Sequence, residues 1–313
     1  MPAGEEEKMR YKMYELSFPN GVHFGDRSLD EAMLTFSADT LFSALYQEAL
    51  KAGPEYAEWL YSSAVQGSIR LSDAFPYVDG TYYLPKPLVR PETEDSQGDS
   101  VVKKAFKKLK YIPMDLMGDY LAGKLDAQKE NIRLKKLART YLKTSAYVPD
   151  DEDTLPYHVG TAYFGEGCGL YIITAAETEE QEGKLYELLD MLSFAGIGGK
   201  RTSGLGRFQI TKEIEPDPAS FEKDGDWVMA LNICLPGDDE IESVMDGALY
   251  QVKKKGGFVA SETFAPENRK KKDLFMFSAG SCFRQRFEGD VFDVADGGTH
   301  PVYRYGKPLF WVL

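Results

Sequence analysis

Between an apolar-periodic stretch and a β-forming stretch the chain carries Gly196-Ile197-Gly198-Gly199-Lys200-Arg201-Thr202-Ser203-Gly204-Leu205-Gly206-Arg207-Phe208. Five of its first eleven residues are glycine, too many to continue a helix or a strand. The preceding segment, Glu177–Ala195, puts Leu185, Leu188, Leu189 and Leu192 on one helical face, and a strand over Arg207–Thr211 follows at once. Clustered glycines expose successive N–H groups, which form an anion-binding concavity. Lys200 adds a point charge, Arg201 a planar fork suited to bidentate phosphate contact, and Ser203 one more donor. The set suits a phosphodiester backbone better than a neutral ligand. The alternative is a tight helix-to-strand connection in which the glycines do backbone work only. A P-loop is excluded, because Lys200 is followed by Arg201 and not by Ser or Thr. A dinucleotide fingerprint is excluded too, because it needs the strand before the glycines and the helix after them.

The rest of the chain narrows the class. Its 313 residues suggest two domains. Cys168, Cys234 and Cys282 stand far apart, which fits a reducing cytosol and no disulfide framework. His23, His158 and His300 show no metal-ligand spacing, so neither a metal nor a cofactor is expected. MPAGEEEKMR lacks an apolar signal region, and no apolar run is long enough to span a bilayer, so a cytoplasmic protein without membrane contact is expected. The net charge of −13 looks wrong for a nucleic-acid binder. It hides two basic islands: 12 Lys/Arg against 4 Asp/Glu over Val101–Lys143, and 9 against 3 over Gln251–Arg286. Basic islands on an acidic body steer a polyanion to one face; the plainer reading is solvated helix surface.

Along the chain, Tyr11–Phe18 alternates as a strand and Pro19-Asn20-Gly21 turns it. A helix follows Ser37 or Asp39 as its cap and ends at Gly53-Pro54; a second spans Tyr56–Val65. Ser68–Ala74 and Thr81–Leu84 read as short strands. The Lys-rich block 101–143 is mostly helix-compatible and reads as an insertion at about 90–150. Strands resume at Tyr157–Phe164 and Gly169–Thr174, with Gly165-Glu166-Gly167 as a hairpin turn. Glu213–Asp224, with Pro216 and Pro218, reads as a linker before a strand at Trp227–Leu235. The expected class is α+β, with two ferredoxin-like (RRM-like) domains. The first spans 1–217 with its glycine loop at 196–206, and the second, degenerate, spans 218–313.

Helix, GIGGKRTSGLGRF and strand together resemble the glycine-rich loop of the RAMP superfamily, the RNA-binding proteins of CRISPR systems. The segment Phe36-Ser37-Ala38-Asp39-Thr40-Leu41-Phe42-Ser43-Ala44-Leu45 and the loop Gly21-Val22-His23-Phe24-Gly25 resemble one subunit family within it. So do Gly256-Gly257-Phe258, Lys271-Lys272-Asp273-Leu274, Gly280-Ser281-Cys282-Phe283 and the run His300–Gly306. That family is the fourth Csm subunit of type III-A effector complexes, in the Cas-five-like group. The resemblance leaves 90–150 unmatched.

The resemblance implies a non-catalytic prokaryotic protein of antiviral defence. It would grip the 5′ repeat-derived handle of CRISPR RNA (crRNA), cap the backbone of the complex and dock the large polymerase subunit. A neighbouring backbone RAMP subunit and target RNA near the handle are further implied partners. The insertion would hold the family's thumb-like element, which contacts the guide–target duplex. Handle-binding candidates carried over are Gly196, Gly198, Gly199, Lys200, Arg201, Thr202, Ser203, Gly204 and Gly206. His23 would stack on a base or touch a phosphate, or is an ordinary loop histidine. Asp39 reads as a helix cap rather than an RNA contact, with Thr40 and Ser43 beside it. Phe24, Phe283 and Tyr303 are candidate base-stacking rings. Arg284 and Arg286 alternate after a turn and would either extend a cationic path or pair with acids such as Glu288. The rival expectation is an endoribonuclease of the RAMP class that processes crRNA or cuts target RNA, with His23 as base or Asp26 and Asp30 holding a metal.

Overall fold

The computed structural model describes residues 8–25, 28–91, 100–147, 155–261 and 263–313. The first half contains β1 (Arg10–Ser17), α1 (Ala38–Ala52), α2 (Pro54–Gln66), β2 (Ile69–Leu71), β3 (Phe75–Val78) and β4 (Thr81–Pro85). The basic block follows as α3 (Ser100–Lys108), β5 (Tyr111–Pro113), α4 (Met117–Leu121), α5 (Ala127–Leu134) and β6 (Ala138–Tyr147). Then come β7 (Leu155–Phe164), β8 (Cys168–Ala176), α6 (Glu179–Ala195) and β9 (Gln209–Ile214). The remainder is α7 (Ala219–Glu222), β10 (Val228–Ala230), α8 (Ile241–Met245), β11 (Val252–Lys255), β12 (Leu274–Phe277), β13 (Cys282–Phe283), β14 (Val291–Asp293), β15 (Tyr303–Tyr305) and β16 (Phe310–Val312).

The main sheet is antiparallel, in the order β5-β4-β3-β8-β1-β9, with β2 also on β8. Its centre, β9-β1-β8-β2/β3, is the ferredoxin-like order, and the mixed antiparallel architecture agrees with the expected α+β class. Side-chain alternation sorts the faces. Tyr14 and Leu16 on β1, with Leu170 and Ile172 on β8, pack under Leu41, Phe42 and Leu45 of α1 and the four leucines of α6. Met13, Tyr171 and Ile173 point the other way, against Ala105, Ile112 and Tyr120 of the insertion and Met229, Leu231 and Trp311 of the C-terminal half. All nine residues of β8 are therefore buried, and the strand reads as continuously apolar rather than alternating. Beyond β9 helices shrink to α7 and α8, and a three-stranded sheet β13-β10-β16 and two hairpins carry the fold.

Three local expectations need correction. Gly165 and Cys168 do form a turn, with Cys168 N–H donating to Gly165 O at 3.1 Å, but β7 and β8 do not pair with each other. β7 pairs along its length with β6, from Ala138–Phe164 to Tyr147–Leu155. The basic block is accordingly helical only up to α5, and its last residues form a projecting two-stranded arm. Tyr141, Leu142 and Leu155 on this arm are exposed. The arm passes the expected insertion border near 150, and residues 148–154 lie outside the described residues. The third correction concerns α1. Asp39 does not cap it: the carboxylate of Asp73, from the β2–β3 turn, accepts the Ala38 N–H at 2.7 Å. Asp39 instead turns to Arg304 Nη1, 2.8 Å from its Oδ2.

Candidate nucleic-acid interface

The glycine loop connects α6 to β9, and its conformation explains its composition. Gly196, Gly198, Gly204 and Gly206 have φ between 78° and 97°, the region where a side chain is strained. Lys200 shares that left-handed region at 57° and begins a single 3-10 turn over Arg201–Ser203. Across the loop's neck, Ile197 N–H donates to Gly206 O at 2.9 Å, and Gly206 N–H to Gly21 O at 3.0 Å. Gly199 N–H donates to His23 O at 2.9 Å. A Cβ on Gly198 would sit 2.7 Å from His23 O, and one on Gly199 2.6 Å from the His23 ring. Much of the glycine requirement is thus close packing on the segment after β1, as the backbone-only reading anticipated. The 200–204 crown takes no part in that packing, and a Cβ on Gly204 would meet open space.

That crown carries the charges. Thr202 and Ser203 are exposed, and Lys200, Arg201 and Gly204 are half-buried. Arg201 Nη2 donates to Gln47 Oε1 of α1 at 3.2 Å. Lys200 Nζ lies 4.6 Å from the centre of the Tyr157 ring and 3.2 Å from its hydroxyl, which it draws below the ordinary phenol value. The loop is so joined to α1 on one side and to the β6–β7 arm on the other. Thr40, Ser43 and Gln47 form a half-buried polar stripe along α1, three and four residues apart. Gln47 follows from that spacing; nothing in the sequence marks Tyr157 as a partner of Lys200.

His23 belongs to the wall of the loop. It is 4% exposed, and its Nδ1–H donates to Gly160 O of β7 at 2.7 Å. Phe24 and Phe283 are core residues, packed on Phe36 and Phe310, and are corrected as stacking rings. Tyr303 is half-buried and stacks on Tyr61 at 4.2 Å. Arg284 and Arg286 do not extend the glycine-loop surface. β13 ends at Phe283, so no strand aligns them. Arg284 stacks on Trp227 at 3.8 Å and Arg286 bonds the Phe221 carbonyl. Phe221 in turn stacks on Tyr11, at the opposite end of β1 from the segment that clamps the loop. A strand of eight residues separates these ends by about 25 Å. Asp30 is exposed, and Asp26 lies outside the described residues. No described helix is long and apolar enough to cross a membrane.

A ferredoxin-like sheet with a glycine loop between its last helix and last strand defines the class, and residues 40–209 match the RAMP superfamily. Residues 223–313 match the CRISPR Csm4 C-terminal domain. The Csm4 protein of Mycobacterium tuberculosis is 37% identical over 97% of this chain and 98% of its own length. That of Streptococcus thermophilus is 35% identical over 97% and 99%. The chain belongs to the Csm4 family. Its fold is shared with the crystal structure of a Csm3–Csm4 subcomplex of the type III-A interference complex, at 18% identity, TM-score 0.67 and coverage of 97% and 99%. A Csm1–Csm4 cassette in complex with cA4 matches at 21% identity, TM-score 0.62 and coverage of 97% and 98%.

Proposed function

We propose that this chain is a non-catalytic, RNA-binding subunit of a type III-A CRISPR effector complex, working in the prokaryotic cytoplasm. It holds the 5′ handle of crRNA, caps the complex at that end, docks the large polymerase subunit and abuts a backbone RAMP subunit and nearby target RNA. The observation that carries this reading is the 200–204 crown, where Lys200, Arg201, Thr202 and Ser203 gather beside the polar stripe of α1. Cations and hydroxyls on a rigid turn hold phosphates, and single-stranded RNA is gripped through its phosphates while its bases splay. The Csm1-bound and Csm3-bound relatives support the two protein partners. A division into domains near 217 accompanies this reading.

A ribonuclease reading gains nothing from the site. His23 is buried, and its Nδ1 is committed to a carbonyl. A general base needs reach to the attacking hydroxyl. The test is ultraviolet crosslinking of the co-expressed complex, with mass spectrometry of RNA-linked peptides. Adducts within 196–207 to handle nucleotides are expected. Crosslinks to target RNA alone, or none while other subunits label, would overturn the assignment.

A further inference from the structure

On the other flank of α1, the C-terminal half gathers one buried and two half-buried cations. Arg304 of β15 is 2% exposed; its Nη1 lies 2.8 Å from Asp39 Oδ2 and its Nη2 donates to Gly256 O at 3.3 Å. Its Nε, also buried, has no hydrogen-bond partner. Lys255 Nζ is 3.3 Å from the same Asp39 oxygen and donates to Ser37 Oγ at 2.9 Å. Lys271 stands within electrostatic range of Asp39, Arg304 and Lys255, and burial pulls its ammonium below the ordinary lysine value. No hydrogen bond or ion pair is formed by its side chain among the described residues.

One carboxylate thus faces three cations. Asp273 is engaged by Lys254 at 2.7 Å, and Asp73 accepts the N–H groups of Ala38 and Ile233. Even counting Asp73, the cluster keeps a positive excess. Charge drawn partly out of water without compensation is costly, so a knot built only for stability has no use for Lys271. An anion repairs the imbalance. Beside the cluster stand half-buried Ser37 and Thr40, whose hydroxyl oxygens are 3.2 Å apart. From Thr40 to Gln47, which holds Arg201, α1 advances about 10 Å, a distance short single-stranded RNA can span.

We propose that Lys255, Lys271 and Arg304 form a second phosphate site, which takes a phosphodiester group of the RNA strand whose neighbouring phosphates lie on the glycine loop. It rests on the handle-binding reading above. The test titrates fluorescent single-stranded handle RNA into the full chain at several salt concentrations, with thermal unfolding in parallel. Lys271→Gln is expected to weaken binding about tenfold at low salt, as loss of one charge-assisted contact does. It should make the log–log salt slope shallower by about 0.7. The unfolding midpoint should hold or rise, because repulsion is relieved, and Lys271→Arg should restore binding. A lower midpoint with unchanged RNA binding would overturn the proposal in favour of a structural knot. So would unchanged RNA binding with a lost thermal shift by ATP or inorganic phosphate, which assigns the site to a free phosphate compound. Lys200→Ala/Arg201→Ala, measured alongside, separates the two claims. If that pair weakens RNA and Lys271→Gln does not, only the second site fails. If the reverse holds, the glycine-loop reading fails.

Discussion

The two flanks of α1 meet the same helix with opposite devices. On one side the glycine loop is shaped by backbone: four left-handed glycines and hydrogen bonds to Gly21 and His23 leave its cations half-buried above a rigid turn. On the other side the shape comes from side chains, as Asp39 gathers buried Arg304 and half-buried Lys255. A backbone device tolerates exchange of its charges and fails when a Cβ is added. A side-chain device fails when its single carboxylate is neutralised. Counting lysines and arginines does not separate the two.

The largest effect is expected on the side-chain flank. Asp39→Asn leaves buried Arg304 and half-buried Lys255 and Lys271 without their counter-ion and should cost about 3–5 kcal/mol in denaturant unfolding. A cost under 1 kcal/mol would mean that the cations are solvated after all. On the backbone flank, Gly206→Ala should cost about 3 kcal/mol, because φ is +78° and the new Cβ meets the Ile197 carbonyl. Gly204→Ala, at φ +84° but facing open space, should cost only about 1 kcal/mol. Equal losses would show that strain alone, without close packing, sets the requirement.

Asp73 ties the start of α1 to the C-terminal half, and its effect is smaller and depends on pH. Burial raises its carboxyl from 3.8 to about 6. Stability from this group is therefore complete below the unfolded value and is lost as pH rises through the folded one. Asp73→Asn keeps an acceptor for Ala38 and Ile233 and stays neutral. It should gain about 2 kcal/mol at pH 7 and flatten the pH profile of unfolding between about 4 and 6. A loss at pH 7 would show that the ionised form is needed at this joint. The smallest effect is expected from Lys103→Ala on α3, whose side chain is exposed: within about 0.5 kcal/mol by thermal unfolding.

Local features were legible in the sequence and distant pairings were not. The four leucines of α6 are buried as their spacing predicts, and α1 and α2 divide at Gly53-Pro54. β3 carries no strand pattern in the sequence, because Pro76 interrupts it and both its faces are covered. β6 was hidden in a lysine-rich run whose composition also suits a helix, and only its pairing with β7 makes it a strand. At the site, the glycine loop and its cations announced themselves, whereas the burial of His23 depends on Gly160. The expectation that Asp39 caps α1 is locally sound, but it loses to an arginine 265 residues away.

The double-sided burial of β8 also governs how the molecule comes into being. β1 pairs with β8 and β9, so the first strand emerges from the ribosome more than 150 residues before its neighbours. Until they arrive it has no sheet to join, and the far side of β8, covered in part by the insertion, is completed only when the C-terminal half arrives. Such long-range closure makes folding slow and leaves apolar edges open to wrong partners in the meantime. Late synthesis of Leu309 and Trp311, which seal that side, makes a truncation near the C-terminus a folding defect rather than a trimmed tail.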